Sequence, residues 1–163
     1  MDSPPADLTT LLSGLAASHV ELVLVGGLAA VAQGAPITTH DVDIVHRRTP
    51  ENVKRLLTFL ASIDARYRGR PDGQVLRPEA STLLGAGHSL LVTAHGPLDI
   101  LGAIEGGRTF EDLLGHTIEV DIGGNPVRIL GLPMLAELKR RSNHPKDQYT
   151  LAILEETLRR RGL

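Results

Sequence analysis

The chain has 163 residues, 42% apolar and 22% charged, a length and balance that fit one soluble globular domain over residues 1–163. With no cysteine, disulfides, thiolate catalysis and Cys-based zinc sites are excluded, so any metal must be held by Asp, Glu, His or backbone oxygen. The 17 basic and 19 acidic residues leave a formal charge of −2, which does not mark a nucleic-acid binder. The longest uncharged apolar run, Leu22 to Ala32, is too short to span a bilayer, and MDSPPADL has no basic start or apolar signal region, so a cytoplasmic location without membrane contact is expected.

In chain order, Leu8 to Ala17 has the apolar spacing of a short helix, and Val20 to Val25 is a buried strand stopped by Gly26-Gly27. Leu28 to Gln33 makes a second short helix, ended by Gly34-Ala35-Pro36. Val42 to Val45 forms the core of the next strand. Thr49 as N-cap and Pro50 at the first helical position open a helix whose apolar stripe is Val53, Leu56, Leu57, Leu60 and Ile63. Residues 66 to 87 are expected to be irregular. Four strands follow, Ser89 to Ala94, Leu98 to Leu101, His116 to Ile122 and Val127 to Leu130, the last two joined by Gly123-Gly124-Asn125-Pro126. Helices over Leu132 to Arg141 and Pro145 to Arg160 close the chain. Early alternation of strands and helices with a late hairpin predicts an α/β fold, a mixed sheet flanked by helices with helices at its C-terminal end.

Three carboxylates carry the chemistry. Asp41 and Asp43 flank Val42 in an apolar stretch, and in a strand both would project from one face, although aspartate is depleted from strands. A hard cation would neutralise such a pair; a solvated strand face is the alternative, and it is the expected reading of the identical spacing at Glu119 and Asp121. Asp99, between Leu98 and Ile100, is a third acid inside an apolar strand. Three acids on adjacent strands at one edge of a sheet would repel without cations; with two Mg²⁺ ions they form a site for in-line phosphoryl chemistry. The Gly26-Gly27 pair permits either a tight helix–strand approach or a phosphate held at a helix start, and GGLAAV is neither a dinucleotide fingerprint nor a Walker A loop.

In their order and spacing, Val25-Gly26-Gly27, Asp41-Val42-Asp43-Ile44 and Leu98-Asp99-Ile100 resemble the nucleotidyltransferase superfamily, whose pattern is a hydrophobic residue before Gly-Gly or Gly-Ser, then two acids alternating with hydrophobic residues, then a later acid between hydrophobic residues. More narrowly the chain is similar to the bacterial minimal nucleotidyltransferases related to AbiEii-like toxins and MNT-like antitoxins, through GAPITTHDVDI, LDILG, a hairpin ending in VRIL, and KRRSNHPKD. The resemblance covers roughly residues 20 to 155. It implies transfer of a nucleoside monophosphate from an NTP to an acceptor hydroxyl on RNA, a partner protein or a small molecule, in a toxin–antitoxin setting. It implies that Asp41 and Asp43 bind two Mg²⁺ ions or the metal–triphosphate, and that Asp99 binds the catalytic metal and helps deprotonate the acceptor. Gly26 and Gly27 would cradle phosphates beside Thr39, Lys139 and Lys146 would meet the triphosphate, and Asp147 would orient Lys146 or shape the pocket.

The chain departs from those relatives at Ile37, where many carry an arginine four residues before the first metal aspartate, and at His144, where many have arginine. A catalytically decayed nucleotide-binding or antitoxin module is therefore a second reading, against which the retained acids stand, because an unused buried trio is costly to fold. A third is a phosphohydrolase holding a transition metal through His40, Asp41, His46 and His95, although the His-Asp pair of such enzymes sits on a helix and here enters a strand. Tyr67 and Tyr149 are the candidates for base stacking. Eight basic residues against three acidic ones between Arg47 and Arg77 form either a solvated helix face with an Arg-rich loop or a surface that steers an anionic partner.

Overall fold

Asp7 starts the first element of the computed structural model, which describes residues 6–163: its carboxylate accepts the Thr10 N–H at 3.0 Å and caps α1 (Leu8–Ala17), whose Leu11 and Leu15 enter the core. β1 (Leu22–Val25) is buried along its whole length and leads directly into α2 (Gly26–Ala32), followed by β2 (Val42–His46). In α3 (Pro50–Ser62) the Thr49 side chain accepts the Asn52 N–H, Pro50 presets the first turn, and Val53, Leu56 and Leu60 are buried as the periodicity requires. Then come β3 (Arg66–Tyr67), α4 (Ala80–Leu83), β4 (His88–Thr93), β5 (Gly96–Leu101), α5 (Phe110–Leu113), β6 (Thr117–Ile122), β7 (Asn125–Leu130), α6 (Leu132–Arg140) and α7 (Pro145–Arg160).

The strands form one seven-stranded mixed sheet in the order β3-β4-β5-β2-β1-β7-β6. β2 is antiparallel to β1 and parallel to β5, while β7 is parallel to β1. Hairpins β4–β5 and β6–β7 supply the flanks. Central strands β1 and β2 contribute Val23, Leu24, Val42, Ile44 and Val45 at 0% exposure, which is why their sequences are almost continuously apolar. Two buried amides tie helices to this sheet. Asn52 accepts from Glu21 N at 2.7 Å and donates to Glu21 O and Arg47 O, joining α3 to the outer ends of β1 and β2. Gln33 donates to Ala29 O and Leu130 O and accepts from Leu132 N, locking α2 to the β7–α6 junction.

The structure departs from the expected elements where local backbone chemistry intervenes. β1 starts at Leu22 rather than Val20, because His19 adopts φ +61° and turns the chain out of α1. α2 begins at Gly26 rather than Leu28, so the glycine pair is the first turn of the helix and not a loop before it. β5 begins at Gly96: the Thr93 hydroxyl accepts His95 N and donates to Gly96 O, closing a tight hairpin in place of a longer connection. Residues 66 to 87 are not wholly irregular, since Arg66 and Tyr67 pair with Val92 and Leu91 as an edge strand and α4 forms one short turn. Among the described residues no helix is long and apolar enough to cross a membrane.

Candidate active site

Parallel pairing of β2 with β5 sets Asp43 opposite Asp99, in the centre of the sheet rather than at its lateral edge. Asp41 lies one residue before β2, so it is not a strand residue, yet its carboxylate still turns to the other two. Ligand atoms of Asp41, Asp43 and Asp99 all lie within 4.8 Å of one another. The three side chains are half-buried, and Asp43 Oδ1 and Asp99 Oδ1 are buried oxygens without a hydrogen-bond partner. Burial first, then the Asp41 charge and the hydrogen bond and charge of Asp99, push the Asp43 carboxyl up to about 7. A cluster of hard oxygen donors with unfilled lone pairs, whose own repulsion raises a proton affinity, fits a hard divalent cation.

The glycine pair belongs to the same unit. Val25 pairs with Asp43 across β1 and β2, and Gly26, at φ +71°, brings its Cα so close that a Cβ would stand 2.3 Å from Asp43 Oδ2. A Cβ on Gly27 would stand 3.0 Å from the Thr39 hydroxyl, which donates to Asp41 O at 3.3 Å. Thr39 therefore braces the backbone that carries Asp41; a Cβ at Gly26 would force Asp43 aside, and one at Gly27 would need Thr39 to give slightly.

Two cavities meet at this hinge. One, of about 340 Å³, is lined by Gly26, Gly27, Thr39, Asp41, Lys139 and Lys146, with Ile37 also in its wall. The other, of about 650 Å³, is lined by Asp43 on one side and by apolar residues such as Val25, Leu101, Ile104 and Leu138, with His88 and Glu105 as polar groups. Lys139 and Asp147 border both. Lys139 Nζ donates to Asp147 Oδ1 at 3.0 Å and Ser142 Oγ to Asp147 Oδ2 at 2.6 Å; these hydrogen bonds, Ser142's the stronger, hold the Asp147 carboxyl below its ordinary value. Asp147 thus orients Lys139 and not Lys146, because the α6–α7 turn folds its carboxylate back onto α6. His144 accepts Lys146 N through Nδ1 and caps α7.

Neither tyrosine borders these two cavities. Tyr67 Oη bonds Ser89 Oγ at 3.0 Å, and Tyr149, 72% exposed, faces a separate groove beside Gln33 and Gly34. The histidines do not join the acids: His40 is exposed, and His46 is buried with Nε2 against Leu83 O at 2.6 Å. Glu119 and Asp121 are exposed on β6, and Asp121 caps the hairpin turn at Gly124 N, as expected of a solvated face. Most of the arginines between Arg47 and Arg77 are engaged internally: Arg47 with Glu21 and Glu111, Arg66 and Arg77 with Asp64, and Arg70 over the Tyr67 ring. Arg68, noted in the sequence only as one of those basic residues, reaches the acid trio, with Nη2 2.7 Å from Asp99 Oδ1.

No family model and no curated protein matches the chain. Solved structures do. TM1012 of Thermotoga maritima superposes with a TM-score of 0.58 at 17% identity, covering 89% of this chain and 90% of that one. ANT(2")-Ia, in a structure with adenylyl-2"-tobramycin, gives a TM-score of 0.58 at 16% identity over 93% of this chain and 89% of its own. The lincosamide antibiotic adenylyltransferase LnuA, bound to lincomycin, gives 0.58 at 15% identity over 94% and 99%. The chain has the nucleotidyltransferase fold.

Proposed function

We propose that the chain is a metal-dependent nucleotidyltransferase that moves a nucleoside monophosphate from an NTP to a hydroxyl of a small-molecule acceptor. The observation that carries this reading is the convergence of Asp41, Asp43 and Asp99 at a glycine hinge where two cavities meet. Mg²⁺, held by the three carboxylates as two ions or as the metal–triphosphate, would supply charge neutralisation and alignment for in-line displacement. The narrower, lysine-lined cavity suits the triphosphate, which Lys146 and Lys139 meet as point charges while Gly26 and Gly27 let it approach the backbone. The wider, mostly apolar cavity suits the body of an acceptor. An acceptor hydroxyl oxygen bonds to the α-phosphorus, the α–β P–O bond breaks, pyrophosphate leaves with the electron pair, and the proton passes to a carboxylate oxygen of Asp99.

Adenylyl-tobramycin and lincomycin in the structures of similar fold support an acceptor of that size over an RNA end or a protein side chain. A toxin–antitoxin role rests on the sequence resemblance alone. The test is incubation of pure protein with each labelled NTP, Mg²⁺ and a panel of hydroxylated small molecules, RNA and host protein, beside an Asp41→Ala, Asp43→Ala control. Pyrophosphate release with label on a small molecule is expected; label equal in the control would remove the enzymatic reading.

A further inference from the structure

Arg68, the residue after edge strand β3, is held against the acid trio across β4. Its backbone N–H donates to Leu90 O at 3.1 Å and its Nη1 to Leu91 O at 3.1 Å, and Leu90 is the antiparallel partner of Asp99. Both tethers run to β4, so the remaining arm of the guanidinium is delivered to β5, with Nη2 2.7 Å from Asp99 Oδ1. The contact is close but unaligned: no N–H points at Oδ1, which keeps its lone pairs free of any hydrogen bond. It is therefore a charge contact rather than a bidentate clamp, at an oxygen that a metal would also use. The Arg68 side chain is 33% exposed, against 14% for Asp99, so it has solvent to move into.

A guanidinium stays charged at any working pH, and here it cancels one of three clustered carboxylates. With all three carboxylates ionised, as a bound metal requires, that leaves two negative charges, which one divalent ion balances. We propose that Arg68 is a resident counter-ion that competes with divalent cations for Asp99, so that the nucleotide-free trio takes one cation firmly and admits a second only when Arg68 leaves Asp99. The inference rests on the metal-binding reading of the trio. It also explains how three acids stay together in the metal-free fold, with one of them neutralised from the residue that follows β3.

Mn²⁺ titration of the nucleotide-free full chain, followed by electron paramagnetic resonance of the free ion, tests this directly. Wild type is expected to hold one tight Mn²⁺. Arg68→Gln is expected to bind the first ion about tenfold tighter and to show a second site, since a positive neighbour has been removed from a partly buried cluster. Melted in EDTA, the same variant is expected to unfold at lower temperature than wild type and to gain more from Mn²⁺. Arg68→Met, which keeps the apolar stem, repeats the measurement if the glutamine variant does not fold. Superimposable isotherms for wild type and both variants, with binding still abolished by Asp43→Asn, would overturn the role of Arg68 and leave the metal site standing. Absence of Mn²⁺ binding in every protein would overturn both.

Discussion

Asp43 and Asp99 are register partners across the parallel β2–β5 pair, so two carboxylates leave neighbouring strands side by side, with Asp41 completing the cluster from the residue before β2. Without a cation this arrangement opposes folding, because burial and mutual repulsion act on the same oxygens. Asp43→Asn keeps the shape and removes one charge. In chelator, urea unfolding is expected to show the variant more stable than wild type by roughly 1–2 kcal/mol, while nucleotidyl transfer falls by about a thousandfold. A variant less stable than wild type would mean that the carboxylate is not under strain.

The same strain gives a pH signature. With Asp43 pushed up to about 7 from an ordinary 3.8, the folded protein retains a proton that the unfolded chain has already released. The folded state then binds more protons across that window, so metal-free stability falls as pH rises from about 4 to about 7 and levels off above it. Asp147 is shifted the other way, by Ser142 first and Lys139 second, and its contribution is lost only as pH drops below the ordinary carboxylate range. Buried His46, whose pKa burial lowers from the ordinary 6.5, gives the opposite slope in the same window, so calorimetric melting in EDTA between pH 5 and 8 isolates Asp43 as the difference between wild type and Asp43→Asn. Saturating Mg²⁺ is expected to reverse the wild-type slope, since it binds the deprotonated cluster; equal slopes for wild type and Asp43→Asn in EDTA would contradict the raised value.

Gly26 and Gly27 are adjacent but not equivalent. Gly26→Ala meets both a left-handed backbone at φ +71° and Asp43 Oδ2 at 2.3 Å, so it must displace a metal-site carboxylate. A loss of about 1–3 kcal/mol is expected, with most activity gone. Gly27→Ala meets the Thr39 hydroxyl at 3.0 Å and its Cβ at 3.1 Å, contacts relieved by a shift of a few tenths of an ångström, so a smaller loss on both counts is expected. Equal effects of the two variants in urea unfolding and in transfer assays would refute the packing argument.

Much of this was legible before the structure, for identifiable reasons. Pro50 and Thr49 announce α3 chemically, and the apolar runs of β1 and β2 could only belong to buried strands. The acid trio was legible because Asp99 and the Gly26-Gly27 turn accompany the first pair in a recognisable order, not because of spacing or apolar flanks: Glu119 and Asp121, in IEVDI, share both with Asp41 and Asp43 and are exposed. Arg68 was hidden among neighbouring arginines, because its role depends on a two-residue strand pairing with β4, which periodicity cannot detect in so short a segment. The partner of Asp147 was also missed. Lys146 is next to it in sequence, but the turn between α6 and α7 brings Lys139 to its oxygen instead.

Asn52 offers a stability test remote from the acids. Its 0% exposed amide makes three hydrogen bonds to backbone groups of Glu21 and Arg47, at 2.7, 2.9 and 2.8 Å. Asn52→Leu would leave Glu21 N–H and Arg47 O without these partners, while Glu21 O keeps the Arg47 N–H at 3.1 Å, an expected loss of about 2–4 kcal/mol in urea unfolding. The folded fraction is expected to retain wild-type transfer, since no contact of Asn52 reaches the trio. Loss of activity in fully folded variant protein would contradict that separation.

Lys139 and Lys146 line the same cavity in different states of engagement. Lys146 is exposed, and its cap contact with His144 uses only the backbone N–H, so Lys146→Gln removes a charge without unseating a structural partner. Its expected effect is a KM for NTP raised about tenfold, with kcat and melting temperature unchanged, as befits a charge that meets the triphosphate equally in the ground and transition states. Lys139→Gln also removes the cation that faces Asp147, leaving that carboxylate with Ser142 alone, so a lowered melting temperature is expected beside the raised KM. If the triphosphate instead occupied the wider cavity, which Lys146 does not line, Lys139→Gln alone would raise KM, and steady-state kinetics of the two variants separates the placements.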